Sequence, residues 1–271
     1  MKAGALQGKV IVVIGGTTGL GLSAAKAFLE AGAGGVVVTG RNSESASAAE
    51  SALGSNSVAL IGDATESGHA PAAIELAHDR FGGFNGLYHV AGGSGRRMGD
   101  GRLDEIKDEG IEATLRLNLN SLILSNRAAV RDFLASGHGG SVLNMGSVLG
   151  WSPSPTFFST HVYAAAKSAI LGFTRSIAAA YANADIRFNV LAPALVETPM
   201  ARRAAGDETI LEFIKTKQPL DGGRIGHPAD LDAAAVYFLS DASRFTTGQV
   251  LAVDGGWTVS EGQIPESLNH D

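Results

Sequence analysis

The chain has no cysteine among its 271 residues. That excludes a thiol nucleophile, a disulfide framework and any cysteine-based metal site. It also fits a reducing compartment, so a cytoplasmic location is expected. The seven histidines are scattered without ligand spacing, and no metal is expected. There is no Lys/Arg-rich run and the formal net charge is −6, which argues against nucleic acid or an anionic membrane as partner. No window approaches the apolar length of a membrane-spanning helix. The apolar run Val10 to Ile14 stops at Gly15-Gly16, too soon for the apolar segment of a signal peptide. No linker, composition break or repeat divides the chain, so one α/β domain is expected over 1–271. A chain near 300 residues buries about 75% of the surface its unfolded form exposes, enough for a core without disulfides.

What is present is an alternation. Short β-branched or apolar runs, read as strands, occupy Lys9–Ile14, Gly34–Thr39, Ser57–Ile61, Asn85–Val90, Ser141–Met145, Ile186–Leu191 and Gln249–Val253. Between them lie helical patterns: one through Leu29, then Ser45–Leu53, Thr65 to Phe81, Leu103–Leu134, an alanine-rich run from about Phe157 to Ala184, and Ala229–Leu239. Strand and helix in alternation imply a doubly wound, seven-stranded parallel sheet with helices on both faces. The mixed stretch Ala201 to Gly223 has a partial apolar face, as a mobile lid over about 197–225 would. A polar tail closes the chain within 257–271.

The first strand runs into Gly15-Gly16-Thr17-Thr18-Gly19-Leu20-Gly21 and then a helix. In that context glycines let backbone approach a pyrophosphate, and the helix start supplies N–H groups and partial positive charge. The spacing is Gly-x-x-x-Gly-x-Gly rather than the commoner Gly-x-Gly-x-x-Gly. The second strand ends in Gly40-Arg41-Asn42, where an acid would hold a ribose 2′-hydroxyl. Arg41 suits a 2′-phosphate, so NADP is preferred and NAD is the alternative. The third strand ends in Gly62-Asp63-Ala64; Asp63 either contacts an adenine edge or caps the following helix. Ala91 and Gly92 after the fourth strand let backbone pass close to a ligand.

Tyr163 and Lys167 are four residues apart in the alanine-rich run, so on a helix they share a face. An ammonium about 5 Å from a phenol, at an effective dielectric of about 20, is worth roughly 3 kcal/mol, or about two pKa units toward the phenolate. The alternative is a half-buried helix aromatic beside a solvated lysine. Asn118, a poor helix former inside the long fourth helical pattern, is either exposed or marks a local distortion. Ser147 follows the fifth strand, at the sheet end where open α/β sheets bind ligands.

Taken together, Gly15, Gly19, Gly21, Asn118, Ser147 and the Tyr163-x-x-x-Lys167 motif resemble the short-chain dehydrogenase/reductase family. So do Thr247-Gly248-Gln249 and Val253-Asp254-Gly255-Gly256. The likeness runs from Gly8 to about Gly256 and implies a Rossmann fold acting on ketones or aldehydes and alcohols by nicotinamide hydride transfer. It implies that Tyr163 donates or accepts the proton, that Ser147 binds the same oxygen, and that Lys167 lowers the tyrosine pKa and holds the nicotinamide ribose. Asn118 would kink its helix and place a water. The implied cofactor site comprises Gly15, Thr17, Thr18, Gly19, Leu20, Gly21, Arg41, Asp63, Ala64, Ala91, Gly92, Tyr163, Lys167, Pro193, Val196 and Thr198. Trp151, Phe157 and Met200 join Ser147 and Tyr163 as expected substrate contacts, with Phe158 and Phe213 as further pocket aromatics, which suggests an apolar or cyclic substrate. Either set of aromatics also reads as core or subunit contact. A homo-oligomer, tetramer or dimer, is implied as well.

Three departures from the family pattern stand out. Ile14 stands where a threonine is usual, removing one hydrogen bond behind the glycine loop. His89-Val90 replace two asparagines, and His89 is either a satisfied strand-end histidine or a catalytic group. Ala194 replaces a glycine after Pro193. Two other functions stay open: a dinucleotide-binding regulator without catalysis, and an isomerase or dehydratase on the same fold.

Overall fold

The computed structural model describes residues 4–265. Seven strands, β1 (Val10–Ile14), β2 (Gly35–Gly40), β3 (Ser57–Ile61), β4 (Gly86–His89), β5 (Gly140–Met145), β6 (Ile186–Pro193) and β7 (Val250–Val253), form one sheet in the order β3-β2-β1-β4-β5-β6-β7. Every pairing is parallel. The chain winds outward from β1 to β3, then returns to place β4 on the other side of β1. That reversal opens a crevice at the C-terminal ends of β1 and β4.

The alternation along β1 shows how the sheet is buried on both faces. Val10, Val12 and Ile14 pack with Ile74, Phe133 and Phe188 on one side, whereas Ile11 and Val13 pack with Phe28, Tyr88 and Phe238 on the other. The first face is covered by α3 (His69–Phe81), α5 (Ser121–Ser136) and α6 (His161–Tyr181), the second by α1 (Gly19–Glu30) and α9 (Asp232–Leu239). A buried polar chain crosses the first face. Asn126 and Asn144 exchange amide hydrogen bonds at 2.9 and 3.0 Å, and Asn144 also donates to Thr174 at 3.1 Å.

Several boundaries differ from the sequence reading. The pattern over Leu103–Leu134 begins as α4 at Asp108, ends with α5 at Ser136, and is interrupted by a π-helical turn at Arg116–Asn120. α6 starts at His161 rather than Phe157: residues 155–157 form a turn and Thr160, the residue before the helix, is extended. α2 (Ser43–Leu53) begins at Asn42, whose side chain accepts from Ser45 N–H at 2.8 Å. The helix expected from Thr65 begins at His69, and residues 63–66 form turns. The mixed stretch forms α7 (Arg202–Ala205) and α8 (Glu208–Lys217), parted at Gly206 and restarted by Asp207, which accepts from Ile210 N–H at 3.1 Å.

The tail lies against α8: Lys217 donates to the Ser260 carbonyl and Gln263 N–H to Thr216 at 2.7 Å. The remainder of the tail, 266–271, is outside the described residues. Among the described residues, no helix is long and apolar enough to cross a membrane, and no group of three or more His, Asp or Glu side chains is placed to hold a metal.

Candidate active site

The glycine turn after β1 is built by crowding. Gly15 has φ +85°, and a Cβ there would stand 2.7 Å from the Ala91 nitrogen; a Cβ on Gly21 would stand 2.2 Å from the Gly15 carbonyl oxygen. Neither position tolerates a side chain, so the backbones of the turn, the α1 start and the β4 end come together. Thr18 gives α1 no side-chain cap, and its first turn carries no acid. The early N–H groups of such a helix have no intrahelical acceptor and attract an anion. The crowding at Gly15 and Gly21 and this uncapped, acid-free start suit a dinucleotide pyrophosphate.

Behind the turn, Thr39 on β2 stands opposite Ile14 in the parallel register, and its hydroxyl accepts from Gly15 N–H at 3.3 Å. The hydrogen bond expected to be missing with Ile14 is supplied from the neighbouring strand. Ala194 is absent from the positive-φ residues, so the loop after Pro193 accommodates a side chain.

The other expected cofactor contacts border the same crevice or its edge. Thr17 is buried, with its hydroxyl 3.4 Å from that of Ser45 on α2, and Leu20 packs on the core beneath. A Cβ on Gly19 would lie 3.6 Å from Thr198 and Pro199, so the segment after β6 faces the glycine turn. Val196 is held there by a bridge to Gly226. Arg41 is exposed. Asp63, next to the half-buried Ala64, accepts from Thr65 N–H at 2.8 Å. That bond chiefly holds its carboxyl below the usual range, and the Arg41 and Arg116 charges add to it. Asp63 thus does not cap α3, whose N-cap is Gly68; it closes a turn ahead of that helix, within electrostatic reach of Arg41.

Asn118 is fully buried inside the π-turn. Its amide nitrogen donates to the carbonyls of Gly93 and Thr114, both at 2.9 Å, and its oxygen accepts from Gly93 N–H at 3.0 Å. The distortion reading is therefore the one observed, and both ends of the amide are spent on backbone. Ser147 follows β5 and starts a short 3₁₀ turn at Val148–Gly150; its hydroxyl accepts from Leu149 N–H at 3.3 Å and lies near enough to the Tyr163 phenol to favour its ionised form. Lys167 is buried, donates to the Met145 carbonyl at 2.8 Å, and has its ammonium 5.6 Å from the centre of the Tyr163 ring.

The electrostatics correct one expectation. Burial pushes the Tyr163 phenol above its ordinary value, and the neighbouring Ser147 hydroxyl opposes this more weakly. Desolvation also lowers Lys167 to about 8. Loss of water by both groups, rather than lysine–phenolate attraction, sets the two shifts. His89 is a satisfied histidine: Nδ1 is 2.8 Å from Ser125 Oγ and Nε2 is 3.3 Å from Ser121 Oγ. Burial, with the Lys167 charge second, holds it neutral, its pKa lowered to about 3.

The expected pocket aromatics divide. Phe213 is buried with Trp257; Phe157 tilts against Phe213 at 4.9 Å, and Phe158 meets Trp257 edge-on at 5.6 Å. Phe158 and Phe213 therefore belong to the packing between α8 and the chain's end rather than to a free pocket wall. Trp151 and Met200 stay exposed, at 41% and 54%.

Comparison with known proteins now adds to this geometry. A family model described as Enoyl-(Acyl carrier protein) reductase matches residues 15–258. The chain belongs to the short-chain dehydrogenase/reductase family. It is an oxidoreductase acting on CH–OH or C=O groups. Momilactone A synthase of Oryza sativa subsp. japonica is 34% identical, over 94% of this chain and 91% of that one. The NADP-dependent (R)-specific alcohol dehydrogenase of Lentilactobacillus kefiri is 31% identical over 93% and 98%. The crystal structure of a gluconate 5-dehydrogenase from Burkholderia cenocepacia J2315 in complex with NADP and tartrate superposes with a TM-score of 0.84, at 30% identity over 93% and 96%.

Three features of this short-chain dehydrogenase/reductase escaped the sequence reading. Thr39 was readable in principle from the parallel register opposite Ile14. The serines flanking His89 sit one helical turn apart, at 121 and 125, a pattern that becomes informative only once α5 is packed on β4. Asp100, which accepts backbone N–H groups of α6, carries no local signal, since it lies between two glycines in a loop.

Proposed function

We propose that the protein interconverts a ketone or aldehyde and an alcohol with NADP(H), Tyr163 serving as general acid and base. The observation that carries this reading is the buried Lys167 ammonium 5.6 Å from the centre of the Tyr163 ring, with the Ser147 hydroxyl beside the phenol. Two neighbouring hydroxyls can bind one substrate oxygen between them. Ser147 would stabilise the charge developing on that oxygen, while Tyr163 gives its proton in reduction and takes it back in oxidation. When bound, the nicotinamide supplies or accepts the hydride. Lys167, anchored on Met145, would hold the ribose hydroxyls with its remaining N–H groups. Asn118 has its amide committed to backbone, so any water in the proton path would rest on carbonyls released by the π-turn.

The preference for NADP rests on Arg41 at the end of β2, with no acid at positions 40–42. It is supported by the NADP-dependent relative and the NADP-bound neighbour. Asp63 is the nearby acid that counts against it, though its carboxylate is engaged by Thr65. For the substrate we retain Ser147, Tyr163, Trp151, Phe157 and Met200 and an apolar or cyclic carbonyl. Segment 197–225, jointed at Gly206, would act as a lid. A homo-oligomer is supported by exposed Phe245 and by Leu251 on the edge strand β7.

A panel of cyclic and aliphatic ketones and their alcohols, assayed by absorbance of the reduced nicotinamide with each cofactor, tests this function. Consumption of NADPH in preference to NADH is expected. Cofactor binding without turnover across the panel would contradict it.

A further inference from the structure

α6 carries Tyr163 as its third residue, in the turn where backbone N–H groups lack intrahelical acceptors. The residue before the helix, Thr160, makes no side-chain cap. The acceptor comes from 60 residues upstream. Asp100 Oδ1 accepts from Val162 N–H at 3.1 Å, and Oδ2 accepts from Tyr163 N–H at 2.8 Å. Asp100 is only 2% exposed, so solvent screens these charge-assisted bonds little.

The loop bearing Asp100 is itself fastened. Asp100 N–H donates to the Gly95 carbonyl at 3.1 Å. Gly95 has φ +72°, and a Cβ on it would stand 2.8 Å from Asp100 Cβ and 2.4 Å from the Thr114 hydroxyl oxygen on α4. Two residues before Gly95, both backbone groups of Gly93 are held by Asn118. Residues 93–100 therefore run from one proposed catalytic side chain to the backbone of another.

We propose that Asp100 is a positioning residue for Tyr163, fixing the first turn of α6 so that the phenol meets Ser147 at the right distance and angle. The inference rests on the assignment of Tyr163 as the acid–base group. A helix start preceded by an irregular segment with Pro153 and Pro155 frays unless its N–H groups are engaged. Displacement of a catalytic group by about 1 Å costs on the order of 10²-fold in rate.

The test compares Asp100→Ala and Asp100→Asn with Phe84→Leu. Phe84 stacks on Phe133 at 4.7 Å, and its replacement controls for lost stability. Each is assayed well below its unfolding temperature with NADPH and the ketone of the panel turned over fastest. Cofactor affinity is read by fluorescence, and Val162 and Tyr163 by amide hydrogen exchange. For Asp100→Ala we expect kcat to fall about 10- to 100-fold, NADPH affinity to change less than about twofold, and protection of both amides to be lost. Asp100→Asn, keeping one acceptor oxygen, should fall between. Retained protection in Asp100→Ala, or a kcat no lower than that of Phe84→Leu, would overturn the proposal. An active Tyr163→Phe variant would instead overturn the assignment beneath it, which separates the two failures.

Discussion

The ammonium of Lys167 stands 5.6 Å from the centre of the Tyr163 ring and donates to the Met145 carbonyl at 2.8 Å. Burial lowers this lysine from 10.5 to about 8, which has a consequence for stability. Between about pH 8 and 10.5 the unfolded chain binds the proton more than the folded one, so stability rises with pH across that window. Below it, both states hold the proton and the folded state bears the full desolvation cost. Lys167→Met removes the linkage. Denaturant unfolding from about pH 7.5 to 10 should show the wild type gaining on this variant, by at most about 3 kcal/mol over the full window. Parallel curves would show that Lys167 is not desolvated as described.

His89 sets the opposite end of the pH range. Both states are neutral above about 6.5, but on acidification the unfolded imidazole takes a proton that the folded one refuses until about 3. Stability attributable to this residue is therefore lost as pH falls from 6.5 toward 3. Between pH 7 and 5 the wild type should lose about 2 kcal/mol more than His89→Asn, measured by urea unfolding at each pH. An equal loss in the two proteins would contradict the buried, neutral assignment.

Arg41 carries the cofactor preference. A charge-assisted contact to a 2′-phosphate is worth about 1.5–3 kcal/mol, so Arg41→Asp should move the NADPH-to-NADH ratio of kcat/KM by about 10- to 100-fold toward NADH. Steady-state kinetics with both cofactors would reveal it, and an unchanged ratio would remove Arg41 from the cofactor site.

The sheet was legible because each strand is a short β-branched or apolar run followed closely by glycine or a small residue, and helix lies between. The Tyr163–Lys167 pairing was legible because four residues on a helix fix a common face. What escaped depends on packing. Whether Lys167 makes Tyr163 acidic is decided by how much water each loses, which residue spacing does not encode. The split of the aromatics depends on where Trp257, near the chain's end, folds back. Asp100 reaches α6 only through the loop that Asn118 fastens at Gly93. The start of the long helical pattern was misplaced because residues 103–107 share its composition, whereas helix begins at Asp108 with two acids in its first turn, where the helix dipole favours them.

The central claim is that the Tyr163 hydroxyl moves the proton. The most direct measurement compares wild type and Tyr163→Phe by single-turnover reduction of a panel ketone, alongside NADPH titration of both. Loss of about 10²- to 10⁴-fold in rate, with NADPH affinity within about threefold, is the expected result. A phenylalanine variant that reduces the ketone at the wild-type rate would contradict the account.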